Sequence, residues 1–189
     1  MTRIISGAAG SRRLEVPKSG TRPTSDRVRE AVFSTLDAWG FTTGTRVLDL
    51  YAGSGALGLE ALSRGAVDVV LVEKHPQAAQ VAGRNARTVK DALGSAEVHV
   101  QVVRQSVQTF LDSGAIGTPW DVVFIDPPYE LGEAELSGNL AALIPNLAPD
   151  AAVMVERSSR SPEPTWPDGI SLIRKKSYGE TVLWWAESA

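Results

Sequence analysis

The chain has 189 residues, a net charge of −3 at pH 7 and no cysteine, which excludes disulfides, thiolate metal sites and cysteine nucleophiles. The length suffices for one α/β domain with a solid core, and no apolar run approaches the ~20 residues that a membrane span requires. We therefore expect a cytoplasmic protein that does not contact a membrane.

The first 29 residues form a basic segment in an otherwise acidic chain. Seven cationic side chains oppose two acidic ones there, a net charge of +5, so the remaining 160 residues carry −8. This asymmetry predicts an anionic partner at the N-terminal end, with a solvated basic tail as the alternative.

The basic segment contains the first predicted elements. Two short strands, Arg3 to Ser6 and Arg13 to Val16, are expected on either side of a Gly7 to Gly10 turn. We predict that residues 1–20 form a basic hairpin extension and that residues 21–189 form a single domain. Thr24 or Ser25 is placed to cap a helix that runs to about Trp39.

From residue 46 onward, segments typical of strands alternate with segments typical of helices. Strands are expected near 46–51, 67–73, 97–103, 120–126 and 151–156, and helices near 56–64, 76–92, 106–113 and 133–147. Alternation at these lengths predicts parallel βαβ units with right-handed crossovers. Residues 170–176 and 181–186 then face each other as an antiparallel hairpin.

The first strand of this series leads into a glycine turn, Gly53-Ser54-Gly55-Ala56-Leu57-Gly58. A strand, a glycine turn and a helix in succession are typical of nucleotide-binding folds, because glycine lets a ligand lie against bare main chain. We predict that the backbone amides of residues 52–55 meet a carboxylate of the ligand. A purely structural turn is the alternative.

Two acids accompany this turn. Glu73 ends the second buried strand, 24 residues after Asp49, close to the offset of ~20 residues at which an acid meets a ribose hydroxyl pair. The alternative for Glu73 is an N-cap partner for the turn at Pro76. Asp49 is predicted to bind the ligand's amino group, and its alternative is a strand-end acid satisfied by backbone amides.

The strand near 120–126 runs into a rigid acidic turn, Asp126-Pro127-Pro128-Tyr129. A dehydrogenase has no use for this turn, whereas a methyltransferase that acts on an exocyclic amine does. Asp126 and the Pro127 carbonyl can accept the two N–H bonds, the prolines fix the turn, and Tyr129 can stack on a base. A structural turn is again the alternative.

These features predict a Rossmann-like, seven-stranded class I methyltransferase fold, with parallel strands and a C-terminal antiparallel hairpin. The predicted cofactor is S-adenosylmethionine, and no residue spacing suggests a metal site. The predicted cofactor-binding residues are Thr24, Asp49, Tyr51, Ala52, Gly53, Ser54, Gly55, Glu73, Lys74, Gln105 and Ser106.

Over nearly its whole length the chain resembles the RsmD family of bacterial ribosomal RNA methyltransferases. The resemblance rests on residues 3–7, 21–33, 49–58, 72–73, 126–129 and 178–181, of which the second block is the most diagnostic. One departure is Arg104-Gln105-Ser106, where many relatives have an Asp-Ala pair near the adenine.

The resemblance implies methyl transfer to N2 of one guanine in 16S ribosomal RNA, the one usually numbered 966. The implied partner is 16S rRNA or an assembling 30S subunit, and we expect a monomer. The anionic partner of the basic segment is then RNA, and the cations predicted to bind it are Arg3, Arg12, Arg13, Lys18, Arg22, Arg27 and Arg29.

Three other functions share part of this pattern. An adenine-N6 methyltransferase uses the same Asp-Pro-Pro-Tyr turn but often carries a recognition insert, and the chain has none. A protein amide methyltransferase prefers Asn at position 126 and leaves the basic segment unexplained. A non-catalytic RNA-binding module does not require the donor turn, Glu73 and Asp126 together.

Overall fold

The computed structural model describes residues 2–19, 23–94, 97–114 and 117–189; Arg22, one of the predicted RNA-binding residues, lies outside them. The strands are β1 (Thr2–Arg3), β2 (Arg13–Leu14), β3 (Arg46–Leu50), β4 (Asp68–Val72), β5 (His99–Val103), β6 (Trp120–Ile125), β7 (Leu147–Ser158), β8 (Ile170–Tyr178) and β9 (Thr181–Ser188). The helices are α1 (Asp26–Ala38), α2 (Ala56–Ser63), α3 (Pro76–Leu93), α4 (Val107–Asp112) and α5 (Glu133–Leu143), followed by a 3₁₀ turn at Ile144–Asn146. Within the described part of the chain, no helix is both long and apolar enough to span a membrane.

The seven longer strands form one sheet in the order β5-β4-β3-β6-β7-β9-β8. The first five strands in this order are parallel, and β9 runs antiparallel to both β7 and β8. The predicted parallel sheet with a C-terminal hairpin is therefore confirmed. The strand order reverses at β3, so the carboxyl ends of β3 and β6 flank the crevice in which open α/β sheets bind ligands.

The central strands are apolar along their length because helices cover both faces of the sheet. In β6, Val122 and Phe124 enter a core shared with the N-terminal hairpin, α1, α2 and α3. Val123 and Ile125 enter the opposite core, against α4 and α5. The carboxyl edge of the sheet therefore rests on two packed layers.

Main-chain hydrogen bonds tie the N-terminal hairpin of β1 and β2 to α2. The amides of Ile5 and Ser6 donate to the two carboxylate oxygens of Glu60, at 2.8 and 3.0 Å. The amides of Ala8 and Ala9 donate to the carbonyl and the hydroxyl of Ser63, both at 2.9 Å. The hairpin is therefore bonded to the sheet's first core layer.

Arg29 belongs to this arrangement, and its predicted role in RNA binding is wrong. Its guanidinium is fully buried, donates to Asp26 Oδ1 at 2.7 Å and to the Arg3 carbonyl at 2.8 Å, and lies 3.9 Å from Glu60. A buried cation paired in this way has no face left for a phosphate. Arg29 stabilises the junction of α1, α2 and the hairpin instead.

The fifth parallel strand, β7, starts at Leu147 rather than near residue 151. Trp120 pairs with Leu147, and the register shifts before Val122 pairs with Ala152. Asp150, with φ of 59°, lies in this irregular stretch beside Pro149. Pro and Asp read as turn residues, and so the sequence concealed the first third of a bulged strand.

Gly58 sets how closely α2 approaches the sheet. A Cβ atom at this position would lie 2.4 Å from Leu71 Cδ2 and 3.0 Å from Val69 Cγ1. Only glycine permits this distance, because a methyl group would push the helix away from β3 and β4. The third glycine of the motif is therefore a packing requirement.

We expect Gly58→Ala to destabilise the protein by roughly 1–3 kcal/mol, as overpacking of a core does, although alanine is the better helix former. The matched control is Gly83→Ala in α3, where an added Cβ has no atom within 4 Å. That variant should gain up to about 1 kcal/mol from helix propensity. Urea denaturation of both variants measures the two changes, and equal stabilities would contradict the packing argument.

Candidate active site

Acidic side chains form a row along the carboxyl edge of the sheet. Glu73 follows β4, the glycine turn follows β3, and Asp126 follows β6. The register that pairs Ile125 with Val155 puts Asp126 beside Glu156 of β7. The sheet thereby brings together acids that are far apart in the chain.

Asp49 caps the helix that begins in the glycine turn. The N-cap of α2 is Gly55, which has no side chain to offer, and Asp49 Oδ2 instead accepts the Gly58 N–H at 2.9 Å. Burial raises the pKa of Asp49 to about 8, and the charges of Asp126 and Glu73 add to this, while the Gly58 N–H acts against it. The structure thus shows the backbone-satisfied alternative, and a contact with an amino group stays a prediction.

Glu73 is held by two backbone amides. Its Oε2 accepts the Gly53 N–H at 2.8 Å and its Oε1 accepts the His75 N–H at 2.9 Å. Each carboxylate oxygen has a second lone pair, so Glu73 keeps the capacity to accept a pair of ribose hydroxyls. A rigid acid beside a glycine turn at the switch point of the sheet fits S-adenosylmethionine.

The predicted role of the turn amides needs correction. Gly53 donates to Glu73, Ala52 donates to the Val72 carbonyl at 2.9 Å, and Gly55 donates to the Ala52 carbonyl at 2.8 Å. Three of the four amides expected to meet a ligand carboxylate are therefore engaged within the protein. They shape the turn, and the carboxylate needs other donors.

The remaining predicted cofactor residues lie around this turn. Tyr51, with φ of 60°, donates its hydroxyl to Asn139 Oδ1 on α5, and that environment raises its pKa, mainly by burial. Ser106 caps α4, where its hydroxyl accepts the Thr109 N–H at 3.2 Å. The Ser54 carbonyl accepts a 2.9 Å bond from Asn85, and the side chains of Lys74 and Gln105 are exposed.

Thr24, predicted to bind the cofactor, lies instead between two carboxyl groups. Its hydroxyl is 2.9 Å from Asp126 Oδ2 and 3.4 Å from Glu156 Oε2. Glu156 escaped the sequence analysis. The available signal was an acid at the end of a predicted strand, the same pattern that marked Glu73.

Asp126 and Glu156 share a desolvated environment. Burial raises the pKa of Asp126 to about 6, opposed by hydrogen bonds with Thr24 and Glu156. Burial and the charge of Asp126 raise the pKa of Glu156 to about 8. At neutral pH the pair therefore holds one proton on Glu156 and one negative charge on Asp126.

The turn after Asp126 is braced from β7. Pro127 is buried and Tyr129 is 65% exposed. Arg157 is buried and donates to the Leu131 carbonyl at 3.0 Å and to Glu133 at 2.6 Å, which ties the end of the turn to the sheet. The sequence analysis did not single out Arg157.

A pocket of about 260 Å³ opens beside this turn. Thr24 and Glu156 contribute its polar lining, and Tyr129 and Tyr178 contribute aromatic rings. An aromatic-sided pocket with carboxyl groups suits a flat group that carries N–H donors.

The predicted RNA-binding cations do not converge on one surface. Arg12 and Arg13 are exposed on the hairpin bonded to α2, and Arg3 and Lys18 are also exposed. Arg27 is exposed on α1, close to the pocket. Across the described ranges, no group of three or more His, Cys, Asp or Glu residues could hold a metal ion.

Comparisons with known proteins identify the family. The model of the family described as "Conserved hypothetical protein 95" matches residues 2–187. The chain is 41% identical over 181 residues to ribosomal RNA small subunit methyltransferase D of Escherichia coli K12, covering 95% of this chain and 86% of that protein. The chain belongs to this family.

Other members and structures agree. The protein of the same name from Haemophilus influenzae is 37% identical, covering 94% of this chain and 89% of that protein. The hypothetical protein TTHA0928 of Thermus thermophilus has a TM-score of 0.82 at 33% identity, with 98% of each chain covered. The magnesium protoporphyrin IX methyltransferase ChlM of Synechocystis PCC 6803, solved with bound SAM, shares the fold alone, with a TM-score of 0.65 at 14% identity.

Membership in the family confirms three predictions made from the sequence. The resemblance to the RsmD family holds over almost the whole chain. Methyl transfer is the class of reaction, and S-adenosylmethionine is the cofactor. The class I methyltransferase fold is confirmed as well.

We expect Glu73→Gln to weaken binding of S-adenosylmethionine by roughly 1–3 kcal/mol, because a buried pair of hydroxyls loses a charged acceptor. The control is Asp91→Asn, which removes one charge from an exposed position on α3. Calorimetric titration measures both affinities, and melting curves show whether the Gly53 and His75 contacts survive. Unchanged affinity in a folded Glu73→Gln protein would contradict the role of this acid.

Proposed function

We propose that the protein transfers a methyl group from S-adenosylmethionine to the exocyclic N2 amine of a guanine in 16S ribosomal RNA, the one usually numbered 966. The observation that carries the proposal is the Asp126–Glu156 pair beside an aromatic-sided pocket at the strand ends. The E. coli and H. influenzae relatives are named ribosomal RNA small subunit methyltransferases, which supports rRNA as the substrate.

The lone pair of guanine N2 is delocalised into the ring, so the nitrogen has to approach tetrahedral geometry before it can react. S-adenosylmethionine supplies an electrophilic methyl group on a sulfonium. Asp126 and the Pro127 carbonyl accept the two N–H bonds and turn the lone pair toward that methyl group. Positioning and fixed electrostatics then account for most of the acceleration.

The charge state of the acidic pair suits this role. With its pKa at about 6, Asp126 is a carboxylate at neutral pH, while the neighbouring Glu156 keeps its proton. When N2 gains the methyl group it loses one proton, and Asp126 is the acceptor nearest to it. Thr24 orients Asp126 through the 2.9 Å hydrogen bond.

The pocket explains why the base has to leave its helix. The carboxyl oxygens lie behind Thr24, and a paired guanine keeps its N2 inside the stack, where these oxygens cannot reach it. Tyr129, exposed at the mouth, is free to stack on the extruded base. We propose that the protein acts as a monomer in the cytoplasm, on 16S rRNA or a 30S assembly intermediate.

The substrate is tested by incubating the protein with labelled donor and either naked 16S RNA or assembling 30S particles. Nuclease digestion and mass spectrometry then identify the methylated nucleoside. N2-methylguanosine at a single position supports the proposal. N6-methyladenosine would replace it with the adenine alternative.

Asp126→Asn should lower turnover by roughly 10²–10⁴-fold, the range expected for a positioned acid–base group. Affinity for S-adenosylmethionine should stay close to wild type, because Asp126 acts on the guanine. The control Glu130→Gln changes an exposed acid four residues away. Single-turnover methylation measures the rates, and near wild-type turnover by Asp126→Asn would refute the assigned role.

The rate should rise with pH through about 6, since burial raises the pKa of Asp126 and only its ionised form accepts both N–H bonds. Thr24→Val should move this midpoint to higher pH, because the lost hydroxyl bond favours the carboxylate. The pH dependence of kcat/KM in the two proteins measures the shift. A midpoint that stays in place would show that another group controls the profile.

A further inference from the structure

A groove of about 540 Å³ runs between α1 and β8, separate from the pocket beside Asp126. Its α1 side consists largely of small residues, Ala31, Ser34, Thr35 and Ala38, which recur at helical spacing and leave the groove open. None of the motifs that carry the family resemblance includes residues 170–177 of β8.

Strand alternation sets the other wall. Successive side chains of a strand point to opposite faces, so Arg174, Lys176 and Tyr178 all face α1. Lys175 lies on the opposite face, with its Nζ 4.9 Å from the centre of the Trp184 ring. Because β8 is the edge strand of the sheet, no further strand of the described chain covers this wall.

The groove is cationic and accessible. Arg174 and Lys176 are exposed, and so is Arg27 at its α1 end. Among the described residues, none of these three cations forms an ion pair with a carboxylate. Glu30, the acid of the groove, lies 3.8 Å from Arg64.

The groove continues into the pocket beside the catalytic turn. Tyr178 lines both depressions, and the Lys176 Nζ lies 5.6 Å from the centre of its ring. A chain of phosphates lying along β8 would therefore end at Tyr178, with the next base facing Tyr129, Thr24 and Glu156. Cations along a track and aromatic rings at its end are the elements with which proteins bind single-stranded nucleic acid.

We propose that the groove between α1 and β8 binds the sugar–phosphate backbone of the RNA strand next to the target guanine. Arg27, Arg174 and Lys176 contact the phosphates, and Tyr178 directs the base into the pocket. The inference rests on the proposed function and adds a binding surface outside the N-terminal basic segment. It also gives the extruded guanine a defined route to Asp126.

The experiment uses the full chain and a single-stranded 16S-derived RNA that contains the target guanine. The test variant is Arg174→Ala with Lys176→Ala. The matched control, Arg87→Ala with Lys90→Ala, removes the same charge from exposed positions on α3, which packs against the opposite edge strand β5. A third variant, Arg12→Ala with Arg13→Ala, measures the contribution of the hairpin.

For each protein, RNA affinity is measured over a salt series, together with KM for RNA and affinity for S-adenosylmethionine. Each lost phosphate contact on a single strand should reduce the slope of log K against log salt by about 0.7, so the test variant should lose about 1.4. Its KM for RNA should rise severalfold while donor affinity stays unchanged. The control should keep the wild-type slope.

A test variant whose slope and KM match those of the control would overturn the inference. So would a variant that binds naked RNA normally but loses affinity for protein-bearing 30S particles, because the groove would then contact a ribosomal protein. Failure of the proposed function is distinguishable, since it would appear in the wild-type protein as RNA binding without methylation of the guanine.

Discussion

The site depends on one close approach, that of α2 to the ends of β3 and β4. Asp49 accepts the Gly58 N–H, and the missing side chain at Gly58 lets the helix lie against Leu71 and Val69. This contact fixes the start of α2, so the preceding turn has a single course. That course puts the Gly53 amide where Glu73 can accept it, and the ribose acid becomes rigid before any ligand arrives.

The carboxyl edge of the sheet concentrates negative charge, and the protein handles each acid differently. Backbone amides stabilise the charge of Glu73, whereas Asp49 takes a raised pKa in its buried position. Asp126 keeps its charge because Thr24 and the protonated Glu156 lie beside it. Like charges at close range favour one shared proton, which turns a crowded edge into a site with one defined acceptor.

The sequence predicted the sheet well, because buried parallel strands are apolar and alternate regularly with helices. Side-chain partners were harder, since they depend on which strands become neighbours. Nothing local reveals that Glu156 lies beside Asp126, or that the amides of residues 52, 53 and 55 are already bonded. Arg29 was counted as a free cation, although it shares the inner face of α1 with Val28, Val32 and Leu36. A charge count over the first 29 residues also hid the cations of β8.

The position of β9 has a consequence for how the molecule is made. The strand that carries Glu156 is completed on one side only by residues 181–188, which pair with it from Ala152 to Ser158 and separate it from β8. During translation, the segment that brings Glu156 into the sheet is synthesised well after Glu156 itself. Such non-local pairing forms late. A nascent copy therefore lacks a finished acidic pair, and the methyltransferase stays inactive while it is being synthesised on a ribosome.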